Sequence, residues 1–261
     1  MSTLTQLVEQ LLVAGAELSI EDGKPRVRAP DGVLTPDRLA ALRDARDELL
    51  RVLPTHRFEA PMSAGQEGLW FIQTSAPDSS AYNVGVALRL ESAHDHAPAL
   101  RRALQRLVDR HMLLRTRYEA ADGRPRQLVD AYRTVPLTEV DAAGWTREQL
   151  ERAASEFHLR PFDLAVEGGF RACLLRRGPG DSVLVLCVHH VAVDGWSIRM
   201  IGDELLRLLA ADGQPNPLPP VRRTYLQFVA AQRELLASRG DALRDAAARA
   251  LAGAPHVLDL P

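Results

Sequence analysis

The stretch Val183-Leu-Val-Leu-Cys-Val188, continued by His189-His-Val-Ala-Val-Asp-Gly-Trp196, restricts what this chain can fold into more than any other. An unbroken aliphatic and β-branched run of this length suits a strand buried on both faces. If the strand continues, His189 and His190 point to opposite sides, so one enters the core while the other looks into a cavity. Asp194-Gly195 marks a tight turn, and Ile198, Ile201, Leu205, Leu208 and Leu209 then repeat at helical spacing. An imidazole held at the mouth of such a crevice can accept a proton from a nucleophile near pH 7. The residues alone leave two rivals open: a pair of satisfied structural histidines, and a metal site on His189, His190 and Asp194. Adjacent strand residues diverge and no further ligand is spaced nearby, so no metal is expected.

The remaining composition narrows the class. A chain of 261 residues with 46% hydrophobic content has length for one or two globular domains. Its net charge of -2 argues against a general nucleic-acid binder. Cys173 and Cys187 both sit in apolar runs, as core thiols of a reducing cytoplasm do. No apolar run approaches the roughly 18 residues of a membrane span, so neither a membrane nor an export signal is expected.

Residues 1–55 read as a unit of their own, with 56–61 as a linker. Leu4, Leu7, Val8, Leu11 and Leu12 recur at helical spacing before Gly15. Glu21-Asp-Gly-Lys24 separates two short strand-like pieces and predicts a hairpin. Thr35 as N-cap and Pro36 in the first turn open a helical pair reaching Leu53. On the second strand Lys24, Arg26 and Arg28 share one face. A solvated outer face is the usual fate of such cations, but a hairpin edge of one charge sign is also a template for an extended acidic peptide.

The whole string His-His-x-x-x-Asp-Gly resembles the core motif of nonribosomal peptide synthetase condensation domains, and its shorter His-x-x-x-Asp form is shared by chloramphenicol acetyltransferase-like acyltransferases. Met62-Ser-Ala-Gly-Gln-Glu-Gly-Leu-Trp70 resembles the family's opening Ser-x-x-Gln-x-x-Leu-Trp, with Ser63 as a helix cap. Arg110-His-Met-Leu-Leu-Arg-Thr-Arg-Tyr118 resembles its Arg-His-Glu-x-Leu-Arg-Thr-x-Phe, and Pro161-Phe-Asp-Leu164 is another shared string. Tyr225-Leu-Gln-Phe228 is similar to Tyr-x-Asp-Phe, with Gln227 in place of Asp. The resemblance implies that His190 stands at the reaction centre beside His189. It also implies that Asp194 is structural and held by an arginine; Arg115 is the first candidate and Arg110 the second. Backbone N-H groups near Gly195 are candidates for stabilising an oxyanion.

Residues 4–53 resemble TubC-type N-terminal docking domains, whose hairpin receives the C-terminal tail of a preceding subunit. That implies docking by Lys24, Arg26 and Arg28 of an acidic tail. The expected fold is α/β: a small α-β-β-α-α docking domain, then at 62–261 a chloramphenicol acetyltransferase-like half-domain, a mixed sheet with packed helices. Only the first half of a condensation domain is recognisable, so the fragment by itself is expected to form little or no product. The implied reaction joins a donor acyl or peptidyl thioester to an acceptor aminoacyl thioester, each on the 4'-phosphopantetheine of a carrier protein, with no cofactor bound by this chain. An epimerisation domain, a free acyltransferase, and a docking module with an inactive passenger are the alternatives. The enzymatic reading requires His190 to face a channel and Asp194 to be locked by a guanidinium.

Overall fold

The structure is a computed structural model that describes residues 3–212, 214 and 216–255. Helix α1 (Thr3–Val13) buries Leu4, Val8, Leu11 and Leu12, the stripe its spacing predicts. Strands β1 (Glu17–Glu21) and β2 (Lys24–Arg28) form an antiparallel hairpin. Asp22 and Gly23 turn it with φ of 49° and 68°, the two positive values a tight hairpin turn of this hand requires. Helices α2 (Pro36–Asp44) and α3 (Arg46–Val52) complete the expected α-β-β-α-α order, and Thr35 caps α2 by accepting from Arg38 N-H.

This unit does not stand apart. Its core residues Leu11, Leu12, Leu18, Leu49 and Leu53 belong to one buried cluster with Phe58, Met112, Val129 and Leu226. Residues 56–61, expected as a linker, instead carry strand β3 (Arg57–Ala60). Phe58 and Ala60 alternate inward there, so the segment gains more as a half-buried strand than as a solvated connector.

Beyond it come α4 (Ala64–Ser75), β4 (Asn83–Glu91), α5 (Ala97–Arg110) and a 3-10 turn over Met112–Arg115. Strands β5 (Thr116–Ala121) and β6 (Arg124–Asp130) follow, then β7 (Leu137–Asp141), α6 (Arg147–Leu159), β8 (Phe170–Gly178), β9 (Asp181–His189), α7 (Gly195–Ala210) and α8 (Tyr225–Ala250). One sheet has the order β4-β9-β8-β7, with only the β7–β8 pair parallel; β3-β6-β5 is a second, antiparallel sheet. The mixed sheet with packed helices is the expected α/β arrangement. Strand β5 pairs antiparallel with β6 through the Asp122-Gly123 turn, where both residues have positive φ. Helix α8 is longer than its Ala-rich half suggests and begins at Tyr225. Gln227 accounts for that start, because its side chain accepts from Thr224 N-H and closes a capping box.

Strand β9 is central, and its run from Leu184 to His189 is buried. Leu100, Leu104, Leu107 and Val108 of α5 and Ile201, Leu205 and Leu208 of α7 cover the sheet within one core cluster. No helix among the described residues is long and apolar enough to cross a membrane. Of the terminal stretch read as preceding a second half, residues 256–261 lie outside the described residues, as do Gly213 and Pro215 of the loop before it.

Candidate active site and docking edge

Strand β9 ends at His189, and the two histidines separate as strand geometry requires. His189 is fully buried, whereas His190 is exposed. The His190 amide donates to Tyr82 O at 2.9 Å, and its ring meets that tyrosine edge-on with centroids 6.4 Å apart. The His189 ring lies between Tyr82 and Phe162, at centroid distances of 6.3 and 6.0 Å. Val191 N-H donates to His189 Nδ1 at 3.1 Å, which leaves the proton of the neutral ring on Nε2, 3.2 Å from Gln73 Oε1. Burial, then the neighbouring His190 and Arg171, push the His189 pKa down to about 4. His189 is therefore a neutral brace and His190 the one free imidazole of the pair.

The turn after β9 is held from both sides. Gln66 donates to Val191 O at 3.2 Å, while the His189 amide donates to Gly169 O at 2.9 Å. A Cβ at Gly169 would come within 3.2 Å of the Ala192 Cβ, so the missing side chain lets the two loops touch. Ser63 caps α4 as expected, with Gln66 N-H donating to its hydroxyl at 3.1 Å and the Gln66 carbonyl accepting from Ser63 N-H at 3.0 Å. Phe162 is fixed by Arg171, whose guanidinium carbon lies 3.8 Å from the ring centroid and which donates to Phe157 O at 3.0 Å. Of the buried glutamines, Gln66 stands in the opening motif but was given no role, and Gln73 was not singled out in the sequence. Their signal is a pair of polar residues seven apart, on the helix face that also carries Leu69 and Trp70.

Asp194 corrects one expectation. It is exposed, caps α7 by accepting from Ser197 N-H at 2.8 Å and from its hydroxyl at 2.7 Å, and meets no guanidinium among the described residues. Those bonds, the hydroxyl's first, hold its carboxyl below the ordinary value. Gly195 is the first residue of α7, so the Asp194-Gly195 pair read as a tight turn is the cap and start of the helix that follows.

Arg115 is not the partner of Asp194 because the C-terminal end of α5 takes it. It is 1% exposed and donates to Val108 O at 2.6 Å and Asp109 O at 2.8 Å, carbonyls that the helix end leaves open, and to Asp130 O at the end of β6 at 2.8 Å. Arg110 is likewise occupied, by Glu17 at 2.7 Å, Glu204 at 3.1 Å and Pro219 O at 2.7 Å. Of the two conditions set by the sequence, Asp194 locked by a guanidinium is not met among the described residues; His190 is exposed to solvent rather than shut in the core, which is less than the channel-facing position expected of it. No cluster of three or more His, Cys, Asp or Glu side chains among the described residues is arranged to hold a metal.

On the hairpin, Lys24 and Arg26 are exposed but Arg28 is not free. It turns back to Glu17 at 3.8 Å and donates to Leu218 O, so it joins the hairpin to the larger unit. Beside β2 lies a cavity of about 260 Å3 lined by Leu18, Val27 and Leu42 and rimmed by Arg26, Arg43 and Arg46. Arg43 and Arg46 were missed because they lie on a different element, at the α2–α3 junction.

This geometry can be set beside known proteins. Residues 4–54 match the TubC N-terminal docking domain, and residues 57–246 match the Condensation domain. The chain belongs to the condensation-domain family of nonribosomal peptide synthetases and carries a TubC-type docking domain at its front. It is 37% identical over 211 residues to the isonitrile lipopeptide synthase of Mycobacterium tuberculosis, covering 77% of this chain and 8% of that protein. It is 36% identical over 230 residues to the phosphinothricin tripeptide synthetase PhsC of Streptomyces viridochromogenes, covering 85% and 21%. A solved chain described in work on condensation domain-mediated chain release from the enacyloxin polyketide synthase aligns with a TM-score of 0.61 and 26% identity, over 98% of this chain and 53% of that one. The present chain therefore spans a small part of these synthetases and about half of the solved one.

Proposed function

We propose that this chain provides the reactive histidine of an amide-bond-forming condensation domain and, at its front, a receiving edge for the tail of an upstream synthetase subunit. The carrying observation is the asymmetry of the pair: His189 is buried, neutral and bonded at both nitrogens, while His190 is exposed beside it. The donor is an acyl or peptidyl thioester and the acceptor an aminoacyl thioester, both on phosphopantetheine arms of carrier proteins. The acceptor amine forms the new C-N bond, the donor's C-S bond breaks, and the amine proton leaves as the thiol is released. A thioester is already activated, so aligning the two tethers supplies much of the rate. His190 serves as proton acceptor or as hydrogen-bond partner of the amine, and a near-neutral base in the first role contributes roughly two to four powers of ten.

For docking, Lys24, Arg26, Arg43 and Arg46 border β2, so an acidic extended tail can add to that edge and seat apolar side chains in the adjoining cavity. Asp194 without an arginine favours one second reading, a docking module with an inactive passenger. The deciding experiment is His190→Ala in the longest native polypeptide that carries this sequence, supplied with loaded donor and acceptor carriers. Loss of product with tail binding intact supports the catalytic reading; unchanged product formation leaves docking alone.

A further inference from the structure

Gln73 is 5% exposed and lies on α4, outside every motif of the family resemblance. All of its amide atoms are in use. Oε1 faces His189 Nε2 at 3.2 Å, and Nε2 donates to Pro77 O at 3.1 Å and to Ser79 O at 3.4 Å. Two carbonyls demand the amide nitrogen on one side, so the oxygen is left for the imidazole. The loop that receives those donations runs on to Tyr82, whose carbonyl holds the His190 amide at 2.9 Å. From the other side His189 Nδ1 holds Val191 N-H. The Val191 amide is thus tied to a ring that Gln73 contacts, and the His190 amide to the far end of a loop whose near end Gln73 holds.

We propose that Gln73 is a positioning residue: its amide fixes the tautomer of His189 and, through that ring and the 77–82 loop, holds the backbone that presents His190. The proposal rests on the catalytic reading of His190 only where it concerns rate. An Nδ1-protonated His189 would lose the Val191 bond and face Gln73 with a bare Nε2. Either the amide must then flip, abandoning both loop carbonyls, or two acceptors are left in contact inside the core.

The test begins with the unaltered chain, so it needs no variant to fold. Nitrogen-15 spectra of the imidazoles at pH 7 should show His189 protonated at Nε2 with an acceptor-type Nδ1, and the opposite tautomer overturns the proposal. Gln73→Met keeps length and volume while removing the acceptor and both donors. In the longest native polypeptide, it should lower kcat roughly tenfold to a hundredfold with KM for the loaded carriers unchanged, as expected when an aligned group is displaced. Combined with His189→Phe, the loss should not exceed that of the more damaging single change. Additive losses, or a Gln73→Met protein with the parent's kcat, reject the positioning role. Unchanged product from His190→Ala would instead sink the catalytic reading and leave the tautomer result standing.

Discussion

Arg110 of α5 donates to Glu17 of β1 at 2.7 Å, and the same guanidinium reaches Glu204 of α7 at 3.1 Å. One side chain therefore closes the junction between the docking hairpin and the helix that follows the reactive loop. His111 adds a contact to Glu204 at 2.6 Å. Burial opposes ionisation of Glu204, but the bonds and charges of His111 and Arg110 outweigh it and hold the carboxyl below its ordinary value.

Removing Arg110 leaves Glu17 with the more distant Arg28 and Glu204 with His111 alone. Arg110→Met should therefore lower stability by about 3–5 kcal/mol, the cost of breaking one partner out of a buried pair. The exposed Arg147–Glu151 pair is the control, and Arg147→Ala should leave the urea midpoint close to the parent's. Urea denaturation measures both, and equal midpoints for the two variants would remove the junction from any role in stability.

Two buried groups titrate in opposite senses. The His189 pKa is lowered from 6.5 to about 4, chiefly by burial, so the unfolded chain binds the extra proton between those values. Its contribution is complete above pH 6.5 and is lost as pH falls toward 4. The Asp109 pKa is raised from 3.8 to about 7, again chiefly by burial, so between those values the folded chain binds the proton. Its contribution is complete below 3.8 and is lost as pH rises through 7. Each spans on the order of 3 kcal/mol, so across their shared window they nearly cancel. Asp109→Asn removes one side, and its stability should fall more steeply than the parent's from pH 6.5 toward 4. Urea midpoints across that range check this; parallel pH curves for parent and variant would contradict it.

The cap role of Asp194 gives a different magnitude from the arginine pair read in the sequence. Asp194→Ala should cost about 1 kcal/mol, within the 0.5–2 typical of a lost N-cap, and Asp194→Asn only a few tenths. A loss near 4 kcal/mol from either change, measured by denaturation, would point to a guanidinium partner after all.

The elements legible in the sequence are those with a local cause. The β9 run, the hairpin at Asp22-Gly23 and the caps at Thr35 and Ser63 follow from periodicity, turn chemistry and a single hydroxyl. The division of labour between His189 and His190 also follows from strand alternation. What escaped depends on partners that only the folded arrangement supplies. Arg115 is claimed by carbonyls of α5 and β6, Arg28 by Glu17 and Leu218, and Gln73 by a ring 116 residues away. Charge type shows that such residues need partners, but only the fold decides which.

Docking should separate the arginines that the sequence grouped together. Arg26 is exposed on the cavity rim, so Arg26→Glu should weaken binding of an acidic tail while leaving the urea midpoint within about 0.5 kcal/mol of the parent. Arg43→Glu and Arg46→Glu should act the same way, and all three effects should shrink as salt is raised, because exposed charges are screened over about 8 Å at physiological ionic strength. Arg28→Glu should instead destabilise the chain, since it sets a carboxylate against Glu17 and the Leu218 carbonyl. Tail titration at low and high salt, paired with denaturation of each variant, reads both effects. If Arg26→Glu binds the tail like the parent at low salt, the basic rim does not recognise it; if Arg28→Glu keeps full stability, Arg28 is not the internal clasp its contacts describe.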